Sequence, residues 1–305
     1  MKVLVTGGAG FLGSHLTEAL LAAGHDVAVL ARTFEGRCLP KKRFEEIERI
    51  EADVRDVEAL RSAAHGCQRI FHCAAMVGAD VYARYPVETM EMEVEALKGV
   101  CSVALSENVE KVIFPSTSAV YGNVGLDGAL VEDGPLAPTS PYAVAKRYNE
   151  LYLEAQHREN GLQSVSLRIF NIYGPRQDER LVIPRFMKMA MKGEALTVFG
   201  DGSHTRDFVF VDDVVKAALL CADKVEGCEI VNAALGQDVS VREMAEGIVA
   251  ATGSSASIAF QPAPEARSPF EVDRCVGSTA KLERVTGFKP KTTLSEGLAK
   301  VRDCL

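Results

Sequence analysis

Apolar positions in the first half of the chain fall into short β-branched runs separated by stretches with helical spacing. "KVLVT" (2–6), "DVAVLA" (26–31), "IERIEA" (47–52), "RIFHCA" (69–74), "KVIFPS" (111–116) and "SVSLRIF" (164–170) read as strands. "GSHLTEALLAAG" (13–24) reads as a helix with a glycine stop, and 141–159 as a second helix. Strands that lack strict polar alternation and are separated by helices imply a parallel sheet covered on both faces. The expected fold class is therefore α/β, a doubly wound parallel sheet. After "NIYGPRQ" (171–177) the regularity breaks, with prolines at Pro184, Pro262, Pro264, Pro269 and Pro290. "SVREMAEGIVAATG" (240–253) carries the signature of a capped helix: Ser240 first, Glu243 three residues on, Gly253 near the stop. The expected division is a sheet domain over 1–171 plus about 207–235 and a smaller C-terminal α/β lobe over about 172–206 plus 236–305.

Composition narrows the classes of partner. The chain has 305 residues, 47% hydrophobic and 25% charged, with a formal net charge of −8. That charge argues against nucleic-acid binding, which needs a basic face. No apolar run approaches the roughly 20 residues of a membrane span, and "MKVLVTGG" reads as a strand entering a loop rather than a signal peptide. The eight cysteines form no C-x-x-C and do not cluster with histidine, which suits a reduced, cytoplasmic chain. The six histidines show no H-x-H or H-E-x-x-H, so no metal site is expected.

"VTGGAGFLGSHL" follows the first strand and opens the first helix. Gly7, Gly10 and Gly13 are spaced G-x-x-G-x-x-G. They permit, respectively, a tight turn, close approach to a pyrophosphate and close packing of helix on strand. The helix N-terminus adds free N–H groups and the positive end of its dipole. At this place in a βαβ unit the pattern indicates a Rossmann dinucleotide site. An acid ending the second strand would bind the ribose of NAD, but the chain has Ala31 and then Arg32. Arg32 either pairs with the 2′-phosphate of NADP or only stacks on adenine or lies in solvent. Asp53, after the third strand, is a partner for the adenine amino group or part of the N-terminal cap region of the helix at 56–65.

"SPYAVAKRYNE" puts Tyr142 and Lys146 on one helix face, one turn apart. A free phenol, with a pKa near 10, is too weak a base at neutral pH, and a nearby ammonium lowers that value. Tyr142 would then exchange the proton of a substrate hydroxyl as hydride moves to or from nicotinamide. Thr117 in "STSAVYG" ends a strand where such sheets bind ligands. It either shares the substrate hydroxyl or is a strand-end hydroxyl satisfied by backbone.

Together "TGGAGFLG", "ADVRD", "IFHCAA", "STSAVYG", "SPYAVAK", "RIFNIYGPRQ", "VFGDGSHTRDFVFVDDV" and "GFKPKTTLSEGL" resemble the extended short-chain dehydrogenase/reductase family, the NAD-dependent epimerase/dehydratase group acting on nucleotide sugars, over nearly the whole chain. The resemblance implies Thr117, Tyr142 and Lys146 as the catalytic set. For the cofactor, NAD or NADP, it implies Gly7, Gly10, Phe11, Leu12, Gly13, Arg32, Asp53, Val54, Ala74 and Ala75, with Tyr142 and Lys146. For the substrate it implies Asn171 and Arg206 on the diphosphate, Arg267 on the diphosphate or ribose, and Val198 and Phe199 as the wall of the nucleoside base. Arg206 has the alternative of an ion pair with Asp207, Asp212 or Asp213, and Arg267 that of a solvated loop charge. A homodimer through two helices of the first domain is also implied. Two departures stand out. Glu93, Ala96 and Leu97 in "EMEVEALKGV" replace residues of the family's Asn-Val-x-Gly-Thr, and "SPFEVD" follows Arg267 where a Gly-Asp is common.

The family's reactions start with oxidation of a sugar hydroxyl at C4. Dehydratases and decarboxylases resemble "TDEVYG" and "TSEVYG" after the catalytic Thr. Here the matching positions are Ser118 and Ala119, neither a general acid or base near neutrality. A 4-epimerase needs no such group, so a nucleotide-sugar 4-epimerase, on a UDP-sugar, is the first expectation. An NAD(P)H-dependent nucleotide-4-keto-sugar reductase is the second, and a 3-hydroxysteroid or flavonoid-type dehydrogenase the third. A non-catalytic dinucleotide sensor would not need the Thr117, Tyr142 and Lys146 set. A substitute acid elsewhere, such as Glu93, would undo the inference from Ala119.

Overall fold

The apolar strand runs and the helical stretches between them fold in the alternating order that their patterns predict. The computed structural model of the protein describes residues 1–76, 78–124, 128–262 and 272–305. In chain order the elements are β1 (Lys2–Thr6), α1 (Phe11–Ala22), β2 (Asp26–Ala31), β3 (Glu48–Glu51), α2 (Val57–Ala64), β4 (Arg69–His72), α3 (Ala79–Arg84), α4 (Pro86–Ser106), β5 (Lys111–Thr117), α5 (Pro141–Asn160) and β6 (Gln163–Ile169). Then come β7 (Asn171–Tyr173), α6 (Val182–Met191), β8 (Leu196–Phe199), β9 (Thr205–Arg206), β10 (Phe208–Phe210), α7 (Val211–Lys224) and β11 (Cys228–Ala233). The chain closes with β12 (Val239–Ser240), α8 (Val241–Thr252), β13 (Ile258–Gln261), β14 (Arg274–Cys275), α9 (Ala280–Thr286) and α10 (Leu294–Arg302). Two compact units divide it: Met1–Thr117, Ser140–Arg168 and Val215–Val231 form the first, and Ser118–Thr139, Ile169–Val214 and Asn232–Leu305 the second.

The first unit is built on a seven-stranded sheet in the order β11-β6-β5-β4-β1-β2-β3. The run β3-β2-β1-β4-β5 is parallel throughout. Val3, Leu4 and Val5 of β1 are each 0% exposed. A strand apolar on both faces suits a sheet with helices on either side, and the whole is the doubly wound arrangement that the pattern implied. The chain progresses from β1 to β2 on one side and from β4 to β5 on the other, so the switch point lies between β1 and β4. Crevices outside strand C-termini at such a point are where these sheets take ligands.

Helix α1 starts two residues earlier than its pattern suggested, at Phe11, because Gly10 takes the extended N-cap conformation. Helix α4 buries Thr89, Glu93, Ala96, Leu97, Val100 and Cys101, a stripe at helical spacing that includes a carboxylate. It meets α5, whose Asn149 Nδ2 donates to the Glu93 carbonyl at 3.0 Å.

The second unit carries three small sheets: β10-β7, β12-β9-β14 and β13-β8. Asp207 ties its loops together. Its buried carboxylate accepts from the N–H groups of Leu235 and Gly236, both at 2.8 Å, and of Gly277 at 3.2 Å. Helix α8 has the expected capping box, with Ser240 and Glu243 satisfying each other's backbone N–H, and it ends at Gly253 in the left-handed conformation. Helix α10 repeats the device with Thr293 and Glu296.

Candidate active site

Gly7 leaves β1 with φ +68°, and a Cβ on it would lie 2.5 Å from the Ala74 nitrogen beyond β4. Only glycine permits this close crossing of two strand ends. A Cβ on Gly13 would lie 2.3 Å from the Gly7 carbonyl oxygen, so the start of α1 can rest directly on the loop. Gly10 caps α1 without a side-chain hydrogen bond, and the first turn holds no acid. The N–H groups of Phe11, Leu12 and Gly13 therefore form an uncapped helix N-terminus beside a cradle that a Cβ would fill. This arrangement fits the diphosphate of a dinucleotide. Ala74 and Ala75 are half-buried after β4, and the Ala74 N–H points to Thr6 Oγ1 at 3.4 Å.

At the end of β2, Ala31 is buried and Arg32 exposed. Asp53 is bound by Arg55 through its backbone N–H at 3.0 Å and its guanidinium at 2.9 and 3.0 Å. That guanidinium lowers the carboxyl to about 2, with Arg32 adding a smaller effect. Asp56, not Asp53, caps α2. Val54 is buried.

Thr117, Tyr142 and Lys146 gather at the C-terminal end of β5. The Tyr142 phenol takes side-chain hydrogen bonds with Thr117 and with Tyr82 of α3. The Tyr82 and Tyr142 rings stack in parallel, 4.4 Å apart. Lys146 Nζ donates to the Pro115 carbonyl at 3.0 Å and lies 4.6 Å from the centre of the Phe114 ring. It also pairs with Glu93 Oε2 of α4 at 2.9 Å, with both side chains almost wholly buried.

One expectation is corrected here. Lys146 does not lower the phenol as the sequence argument supposed. Burial and the Glu93 charge push Tyr142 above the usual tyrosine range, against the hydrogen bonds from Thr117 and Tyr82. The ammonium is spoken for by a carboxylate that the motif did not include.

Behind this group, His72 Nδ1 and Thr6 Oγ1 share a 2.7 Å hydrogen bond. Burial holds the imidazole down at about 3, with Lys146 contributing. Burial raises the adjacent Cys73 thiol to about 12. Ser116, Glu150 and Arg168 form a second buried network. Ser116 Oγ donates to Glu150 Oε1 at 2.6 Å, and Arg168 meets both carboxylate oxygens at 2.9 Å.

The remaining candidates belong to the second unit. Asn171 starts β7, and its N–H donates to the Asp207 carbonyl at 2.9 Å. Arg206 lies on β9, half-buried, with its guanidinium donating to the Thr205 carbonyl at 2.8 Å. The Asp207 carboxylate is taken up by backbone N–H groups, as is that of Asp213, which accepts from Lys291 and Thr292. Val198 and Phe199 are neighbours on β8. Successive strand side chains point to opposite faces, and Val198 is buried while Phe199 is partly exposed. Arg267 lies outside the described residues. Among the described residues no helix is long and apolar enough to cross a membrane, and no group of His, Cys, Asp and Glu gathers to hold a metal ion.

Sequence reasoning missed Tyr82 as a partner of the phenol, and nothing in "ADVYAR" marks it. Glu93 had a visible signal: an acid at a stripe position of an otherwise apolar helix face, which requires a buried partner.

Residues 3–234 match the sequence model of the NAD dependent epimerase/dehydratase family. A UDP-N-acetyl-alpha-D-glucosaminuronate decarboxylase of Bacillus cytotoxicus is 32% identical, covering 97% of this chain and 95% of the relative. A UDP-glucose 4-epimerase of Mycolicibacterium smegmatis is 33% identical, covering 98% and 97%. The crystal structure of a Thermus thermophilus UDP-glucose 4-epimerase in complex with NAD superimposes with a TM-score of 0.90 at 35% identity, over 100% of this chain and 98% of that one.

Proposed function

The chain belongs to the NAD dependent epimerase/dehydratase family, an enzyme of nicotinamide-linked chemistry, and from that premise we propose that it is a 4-epimerase of a nucleotide sugar, acting on a UDP-sugar. One observation carries this beyond the family. The positions after Thr117 are Ser118 and Ala119, and the one carboxylate beside the phenol among the described residues, Glu93, is bound to Lys146 and sealed from solvent. Among the described residues the catalytic group thus has a hydroxyl for proton exchange and no separate acid for dehydration or decarboxylation. Relatives of similar identity with 4-epimerase names support the reading.

NAD bound at the Gly7–Gly13 loop supplies the acceptor and donor of hydride. The chain's own residues handle the proton. In its deprotonated form the Tyr142 oxygen takes the proton of the sugar C4 hydroxyl during oxidation, and it returns that proton on reduction. Thr117 and Tyr82 orient that oxygen through their hydroxyls. Water is kept from the pair behind it, since Lys146 and Glu93 are buried. Asn171 and Arg206 are assigned to the substrate diphosphate, where a guanidinium offers several donors at once, and Phe199 to the base. Arg32, exposed and preceded by Ala31 rather than an acid at the end of β2, favours a second reading as a keto-sugar reductase using NADP(H). The protein is assigned as a homodimer.

The decisive experiment is incubation without added cofactor with UDP-glucose, UDP-galactose and UDP-glucuronate, following the sugar C4 proton by NMR. Interconversion of C4 epimers is expected. Turnover only after a keto sugar and NADPH are supplied would replace the epimerase by the reductase.

A further inference from the structure

Glu93 is the only carboxylate among the buried residues of α4. Its side chain is 0% exposed and that of Lys146 3% exposed, and their charged atoms lie 2.9 Å apart. Neither Glu93 oxygen accepts a well-directed hydrogen bond from the described residues. Lys146 has the Pro115 carbonyl as a second partner, but a buried ion pair is still expensive, because desolvation offsets much of the attraction. Replacing Glu93 alone would leave the Lys146 ammonium buried without its counter-charge, so the carboxylate is tied to Lys146 rather than to the filling of α4.

The phenol faces a short set of ionisable groups. Tyr82 comes from α3, Glu93 from α4 and Lys146 from its own helix, while β5 contributes the neutral hydroxyl of Thr117. From the side of β4, His72 and Cys73 face Lys146, and burial keeps both uncharged at neutral pH. The charges that Tyr142 meets among the described residues are therefore those of Lys146 and Glu93, and they oppose each other.

We propose that Glu93 is a positioning residue of the reaction: its carboxylate holds the Lys146 ammonium against α4 and cancels the charge that would otherwise favour the Tyr142 phenolate. The proton thus stays on the phenol oxygen at neutral pH, and turnover that begins by taking a proton from substrate rises with alkalinity. This rests on the reading of Tyr142 as the proton-exchanging group.

The test uses Glu93→Gln and Glu93→Asn, each purified with its bound nicotinamide cofactor. Phenolate formation is followed by near-ultraviolet absorbance, and the signal of Tyr142 is isolated by subtracting a Tyr142→Phe version of the same variant. Removing the carboxylate is expected to move the Tyr142 titration to lower pH by about one unit, roughly tenfold more phenolate at a fixed pH. The acid-side limb of the kcat profile should move with it, leaving KM unchanged. Titrations of both variants that coincide with the parent's would overturn the proposal, even if the variants were less stable. Full activity in Tyr142→Phe would instead overturn the assignment of Tyr142 itself, a separate outcome.

Discussion

Tyr142 and Lys146 could be paired from sequence because a helix fixes the neighbours of a residue one turn away. The charge that opposes Lys146 could not, because it arrives from another helix. The same contrast holds for Gly7, whose turn is visible in the motif while the approach of Ala74 is not. Gly7→Ala should force a Cβ into backbone and a left-handed φ on alanine, costing about 1–3 kcal/mol. The expected outcome is at least a roughly tenfold loss of NAD affinity by calorimetry, and affinity equal to the parent's would remove the loop from the cofactor site. Asp207 gives a prediction of pH dependence. Burial raises its carboxyl from 3.8 to about 6, against three backbone N–H donors. The folded state then binds this proton more readily than the unfolded chain, so this group's contribution to stability falls as pH rises from about 4 to 6 and is level above. The term is of order 3 kcal/mol. Asp207→Asn should flatten the dependence of the urea midpoint across that window while lowering stability at neutral pH, since one acceptor oxygen is lost. An unchanged slope would mean that the carboxyl titrates elsewhere.

Helix α5 carries more than the catalytic pair, and its pattern shows why elements were easier to read than their contacts. Its buried positions include Lys146, Asn149 and Glu150 among alanines and Leu153. By periodicity alone these polar residues weaken the apolar stripe, yet the helix forms at Pro141–Asn160, within a residue of its expected bounds. Ser140 caps it by accepting from the Ala143 N–H, and Gly161 closes it in the left-handed conformation. Glu150 then joins three elements, receiving Ser116 from β5, Arg147 from its own helix and Arg168 from β6. Arg168 is 1% exposed, and such a guanidinium cannot lose its carboxylate cheaply. Glu150→Leu should therefore destabilise the first unit by about 3–5 kcal/mol, read from the urea midpoint. Glu150→Leu with Arg168→Met should recover much of that loss. A double variant no better than the single one would show that packing, not an orphaned charge, sets the cost.

At the scale of the whole molecule, the alternation of strands and helices disclosed a parallel sheet because central strands such as β1 had to be apolar on both faces. It said less about residues beyond 171, where short strands and prolines give no sustained period. The outer face of α5 shows a further limit of periodicity. Val144, Tyr148 and Leu151 are 41%, 43% and 47% exposed, spaced so that they share one side of the helix. The sequence cannot separate such a stripe from the buried one, since both are apolar at helical intervals. A cluster of two aliphatic residues and a tyrosine in water, on a chain of net charge −8, is the composition of an interface core rather than of free surface. If α5 carries the proposed homodimer, Tyr148→Glu with Leu151→Glu places like charges from both subunits into that core. Light scattering after size exclusion at micromolar concentration should then find a dimer for the parent and a monomer for the variant. Because neither substituted side chain is buried in the subunit, far-ultraviolet circular dichroism should be unchanged. A parent that is monomeric, or a variant that remains dimeric, would remove this face of α5 from the assembly.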